Sequence, residues 1–129
     1  MNLELAIGFG AAIGALLRYL THEAVMSAGL AAAWTTGIVN VVGSFVIVLF
    51  ATLTGPGGRL PATLPMRLFV MAGLCGGYTT FSAMSLEAAL LVEARRPADA
   101  AVFLAAVVGL SVASGWAGHS AGLALNRRR

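Results

Sequence analysis

Apolar residues run along this chain in four long blocks, separated by three short stretches where charge, glycine and proline collect. The blocks extend from about Leu3 to Leu20, about Ala31 to Leu53, about Met66 to Leu91 and about Ala98 to Leu125. Each is close to or above the roughly 20 helical residues that cross a hydrocarbon core of about 30 Å. None carries a charged stripe of the kind that faces water, so the pattern predicts four membrane-spanning helices in one domain covering residues 1–129. The separators are "THEAVMSAG", "TGPGGRLPATLP" and "EARRPAD". They are predicted to end the helices and form loops, with His22 in the first of them. Short loops make consecutive spans antiparallel neighbours. The start, "MNLELAIGFG", has no basic residue before Arg18 and so lacks the opening of a signal peptide; the first span is expected to be retained.

Composition narrows the class. Of 129 residues, 59% are apolar and 10% charged, and the mean hydropathy is +0.90. Such values belong to an integral membrane protein. Cys75 is the only cysteine, which excludes a disulfide or a cysteine metal site within one chain. Small residues recur at close-packing spacing in "GAAIG" (Gly10, Gly14), "SVASG" (Ser111, Gly115) and "GHSAG" (Gly118, Gly122), predicting tight helix crossings. Four spans are too few to enclose a wide aqueous path, so self-association is expected, with any pathway between subunits.

Depth distinguishes polar residues at the membrane centre from those at its surfaces. With about 1.5 Å of rise per residue, Asn40, Phe81 and Ser111 all fall near the central layer of their spans. An unsatisfied amide there is costly, so these groups need partners. The third block also holds "GLCGGYTTFSAMSLEA", in which Gly76-Gly77 is followed by Tyr78-Thr79-Thr80. That is a poor helix, predicting a third helix broken near the midplane. A break leaves carbonyls at one half-helix end and amides at the other, fit for a cation and an anion respectively.

Three blocks in order, "GAAIGALLRY", "TTGIVNVVGSF" and "GLCGGYTTFSAMSLE", resemble the small bacterial fluoride channels called Fluc or CrcB, over nearly the whole chain. The resemblance implies an all-α membrane protein of four transmembrane helices assembled as an antiparallel homodimer. It also implies a passive, fluoride-selective channel in the bacterial plasma (inner) membrane, not an enzyme, with fluoride, lipid and a second copy as partners and no nucleic acid. By position, the pore asparagine is Asn40 and the threonine before it Thr36. The carbonyls of Gly76 and Thr79 correspond to those binding a structural sodium ion, and Phe81 to the first pore phenylalanine. Met84 stands where the second is usual, so one aromatic edge is absent. Thr80, Ser82 and Ser111 supply hydroxyls, while Phe103 and Val107 occupy places where hydroxyls often occur, shortening the polar track. Such weak, compact donors can replace fluoride's water without holding it too tightly to pass on.

Charged residues complete the expectations. Arg18 and Glu87 lie toward the same side of the membrane, where an ion pair between them is expected, and the resemblance places Arg18 near the pore vestibule. His119 has no ligand partner at suitable spacing and reads as packing or interfacial. A small four-span proton-coupled drug exporter is the alternative class, needing a buried carboxylate, for which Glu87 is the one candidate. Lysine is absent, and the loop holding Arg59 and Arg67 faces the one with Arg95 and Arg96, joined by Arg18. Arg127, Arg128 and Arg129 add to the first side, giving five against three. So even a balance predicts insertion in both orientations.

Overall fold

The structure is a computed structural model describing residues 2–127; Arg128 and Arg129, which enter the charge count, lie outside the described residues. It is all-helical. Four stretches are long and apolar enough to cross a membrane: Leu3–Ser27, Ala32–Thr54, Leu64–Glu93 and Pro97–Arg127. We label the elements α1 (Leu3–Ser27), α2 (Ala32–Thr54), α3 (64–78), α4 (Phe81–Glu93) and α5 (Pro97–Arg127).

The first boundary corrects the sequence reading. Residues 21–27, with His22 among them, continue α1 instead of forming a loop. Nothing in Thr-His-Glu-Ala-Val-Met breaks a helix. The stop comes at Gly29, whose φ is +73°. An L side chain adopts that conformation only with strain. There the Gly29 amide bonds the Met26 carbonyl at 3.0 Å and the Leu30 amide bonds the Val25 carbonyl at 3.2 Å. This closes the helix in a Schellman arrangement. At the far end of α2, Arg67 donates to the Thr54 carbonyl at 2.6 Å. A cation thus sits where the helix dipole is negative.

The stretch before the third block's polar motif has an unusual internal geometry. Thr63 caps its start, accepting from the Met66 amide at 3.4 Å, with Pro65 in the first turn. Residues Leu68–Cys75 then wind as a π-helix, followed by one ordinary turn, Gly76–Tyr78. Thr79 (ψ 162°) and Thr80 (φ −152°, ψ 122°) take extended backbone before α4 begins at Phe81.

The tightest pairings are between α1 and α3 and between α2 and α5, so the helices that pack most closely are not consecutive in sequence. Small residues explain both. A Cβ at Gly10 or Gly14 would run into the backbone of Phe69, Leu74 or Tyr78, and one at Gly73 or Gly77 into that of Ile7 or Ala11. Likewise Gly118 lies against the Phe45 backbone and Gly122 against the Thr52 side chain. Without a hydrophobic drive between helices in lipid, such close approach supplies van der Waals contact instead. Large apolar side chains point outward: Phe9, Leu16, Trp34, Leu110 and Trp116 are all more than half exposed, as lipid-facing residues are.

Candidate functional site

At the interruption the Thr79 amide still bonds the Cys75 carbonyl at 3.0 Å, but the Thr80 backbone needs a partner from outside. Asn40 of α2 supplies it. Its Nδ2 donates to the Thr80 carbonyl and its Oδ1 accepts from the Thr80 amide, both at 2.9 Å. One side-chain amide thus takes the place of a neighbouring peptide. In a continuous helix the Thr80 amide would bond the Gly76 carbonyl. Turned to Asn40, it leaves that carbonyl without its helical donor. Gly43, one turn along α2, makes the approach possible, since a Cβ there would meet the Thr79 methyl group.

Around this clasp opens a cleft of about 370 Å³ between α2, α3, α4 and α5. Its lining includes Asn40, Gly76, Thr79, Thr80, Phe81, Met84 and Ser111, so seven of the residues marked from sequence come together here. Among the described residues, no charged side chain lines it. Ser111 Oγ is buried and has no hydrogen-bond partner among the described residues, whereas Ser114 is satisfied by the Val41 carbonyl at 2.8 Å. An orphaned hydroxyl at that depth is costly unless something else meets it. Phe81, at the first position of α4, is 76% exposed, while Met84 one turn later is only 5% exposed and sits in the core. Thr80 Oγ1 caps α4, accepting from the Ala83 amide at 3.2 Å and sharing a hydrogen bond with Ser82 Oγ at 3.2 Å. The first amides of α4 therefore point into the interruption with the positive end of the helix behind them.

Two predicted residues lie elsewhere. Thr36 is buried against α4 and donates to Glu87 Oε1 at 3.0 Å, away from the cleft; Ser82 is beside the cleft but outside its lining. The expected Arg18–Glu87 ion pair does not form. Arg18 Nη1 instead donates to the Thr79 carbonyl at 3.2 Å, and Glu87 Oε2 is buried without a partner among the described residues. The reason is local: the extended stretch after α3 leaves the Thr79 carbonyl within 3.2 Å of Arg18, while Thr36 of α2 holds the carboxylate. Sequence reasoning missed Ser44, which lines the cleft one turn beyond Asn40. Its place four residues after Asn40 on the same helix was the available signal.

Fold and site together define a multi-pass membrane protein with a cleft beside the extended residues Thr79 and Thr80. The chain belongs to the CrcB family: the family model described as "CrcB-like protein, Camphor Resistance (CrcB)" matches residues 5–119. It is 48% identical over 128 residues to "Fluoride-specific ion channel FluC 3" of Brucella abortus biovar 1 (strain 9-941), covering 98% of this chain and 93% of that one. "Fluoride-specific ion channel FluC" of Gluconobacter oxydans (strain 621H) is 45% identical over 116 residues, covering 89% and 81%. "Fluoride-specific ion channel FluC 1" of Rhodopseudomonas palustris (strain BisB18) is 43% identical over 128 residues, covering 94% and 86%.

Proposed function

We propose that this protein is a fluoride channel that lets the ion leave the cell passively, working as a dimer of two antiparallel copies. The observation that carries the reading is the cleft at Thr79–Thr80, where Asn40, Ser44, Thr79, Thr80 and Ser111 interrupt a mainly apolar lining and one buried hydroxyl has no partner among the described residues. Its relatives' names give the ion its identity. Fluoride is small and strongly hydrated, so a pathway must offer several compact donors in place of water. Here those donors are the Ser111 hydroxyl, the first amides of α4 ahead of Ala83, whose own amide Thr80 caps, and the positive edge of the Phe81 ring, with the Ser82 hydroxyl beside the cleft. Asn40 positions them by holding Thr80, and its second Nδ2 hydrogen is left over for the ion. Thr36 acts one layer away, keeping Glu87 fixed.

The third span is read as a discontinuous helix broken near the midplane. Sodium fits the donor chemistry at the break. Hard cations prefer oxygen ligands. The Gly76 carbonyl has lost its helical donor, and the Thr79 carbonyl, with one lone pair on Arg18, keeps another. The same two carbonyls from each of two copies would hold one ion, tying the subunits together.

Reconstitution in liposomes is the deciding experiment. Fluoride efflux with little chloride efflux is expected; equal fluxes would refute selectivity. Drug-dependent proton movement without fluoride flux would establish the exporter, with Glu87 as its carboxylate.

A further inference from the structure

Resting on the fluoride reading, we infer that His119 is the outer anion contact at one mouth of the pathway, and that capture of the ion there depends on protonation of its imidazole. The cleft at the interruption is not closed at Ser111. A second cleft of about 480 Å³ shares Ser44, Ile47, Ser111 and Val112 with it and continues between α2 and α5 to His119. Ser111, Gly115 and His119 follow at four-residue intervals on one face of α5. At the rise of an α-helix, the first and last of them are roughly 12 Å apart. On α5 itself no hydroxyl stands between, because the middle position is glycine; Ser44 of α2 lies alongside it. The exposed imidazole borders this groove at its far end, where its Nδ1 is held by Thr52 of α2.

Hydrogen counting fixes what the ring offers. Thr52 Oγ1 lies 2.8 Å from the Val48 carbonyl, which can only accept, so the hydroxyl hydrogen is committed there. Thr52 Oγ1 must then accept from His119 Nδ1, 2.9 Å away. The neutral ring therefore carries its hydrogen on Nδ1 and presents a bare lone pair at Nε2, which repels an anion. Protonation adds an Nε2–H donor and a positive charge together. Among the described residues, α2, the 55–63 loop and α3 contain no Asp or Glu, and Asp99 is at the opposite end of α5. The charged groups among the described residues at this end are Arg59 in the loop, Arg67 on Thr54, Arg127, and Glu4 on α1, which packs on α3.

The test is fluoride efflux from liposomes at low potassium fluoride, where capture limits the rate, at pH 8 and pH 6, with the leak of protein-free vesicles subtracted. The wild-type rate should rise by about three- to tenfold on acidification, an order of magnitude typical of electrostatic capture. His119→Gln, which keeps a neutral donor, should conduct with a flat profile, and His22→Gln should keep the wild-type rise. The same profile in wild type and His119→Gln would overturn the inference while leaving the channel standing. Absence of fluoride flux from wild type at both pH values would overturn both. A readout without any variant uses the protein labelled with ¹⁵N in its two histidines. Potassium fluoride at pH 6 should shift the ring signals of one of them, and the shifted set should be the one that vanishes in His119→Gln; no shift in a conducting preparation would also overturn the proposal.

Discussion

Asn40 bonds both the donor and the acceptor of a single residue's backbone, which makes it the side chain whose replacement reaches furthest. Asn40→Ala would strand the Thr80 amide and carbonyl, at about 1–3 kcal/mol for each unpaired buried group, so a clear fall in melting temperature in detergent is expected. Asn40→Asp keeps the acceptor, puts a carboxylate against the Thr80 carbonyl, and should lose fluoride efflux as well as stability. Phe81 and Met84 should respond in opposite ways. Phe81 is exposed and Met84 buried, so Phe81→Ile should cut fluoride efflux sharply with little change in melting temperature. Met84→Ala should go on conducting but lose about 2–5 kcal/mol of stability from the cavity it leaves. Loss of flux in Met84→Ala alone would reverse this assignment. At this scale the sequence was legible in part. Depth picked out Asn40, Phe81 and Ser111, and the poor helix of Gly76-Gly77-Tyr78-Thr79-Thr80 pointed to the stretch where the backbone is extended. What they could not show is direction: that Asn40 turns toward the backbone of Thr80, and Arg18 toward a carbonyl instead of Glu87. Those choices depend on which groups the interruption sets free, and this is known only once the helices are placed.

Each helix was written plainly in the hydrophobic pattern, because roughly 20 apolar residues in a row have few alternatives in a bilayer. Their ends were less so: α1 runs through a polar stretch that contains no helix breaker and stops only at the left-handed turn of Gly29. The π-helical stretch Leu68–Cys75 left no trace in the pattern at all, since a run of Leu, Phe, Val and Met has no polar marker to reveal a change of winding. Glycine spacing was the better guide. Gly14→Ala should push α1 off the Leu74 and Tyr78 backbone and lower the melting temperature substantially, whereas nothing lies within 4 Å of a Cβ placed on Gly109. Gly109→Ala should therefore be neutral or gain up to about 1 kcal/mol from helix propensity. Equal melting temperatures for the two variants would mean that the α1–α3 crossing is looser than these contacts require.

For the whole molecule, the even arginine distribution, five against three, predicts that a cysteine introduced near the C-terminus is labelled from both sides of the membrane in cells. Labelling from one side alone would exclude dual insertion and with it the antiparallel pair. If two copies share a sodium ion at Gly76 and Thr79, the dimer's melting temperature should be higher in sodium than in an equal concentration of N-methylglucamine. The Gly76→Ala variant should keep that difference, because the ligand is a carbonyl and no atom lies closer than 4.0 Å to the added Cβ. The pairing of α1 with α3 and α2 with α5 also bears on how the chain is made. A ribosome releases α2 long before α5 exists, so during synthesis the groove of α2 that receives Gly118 and Gly122 waits in the lipid without its partner. Assembly must wait for α5 rather than keep step with the emergence of each helix. A nascent chain halted after Arg96 should therefore present α2 to the insertion machinery and to quality-control proteases, and release of the last helix should be the event that ends this exposure.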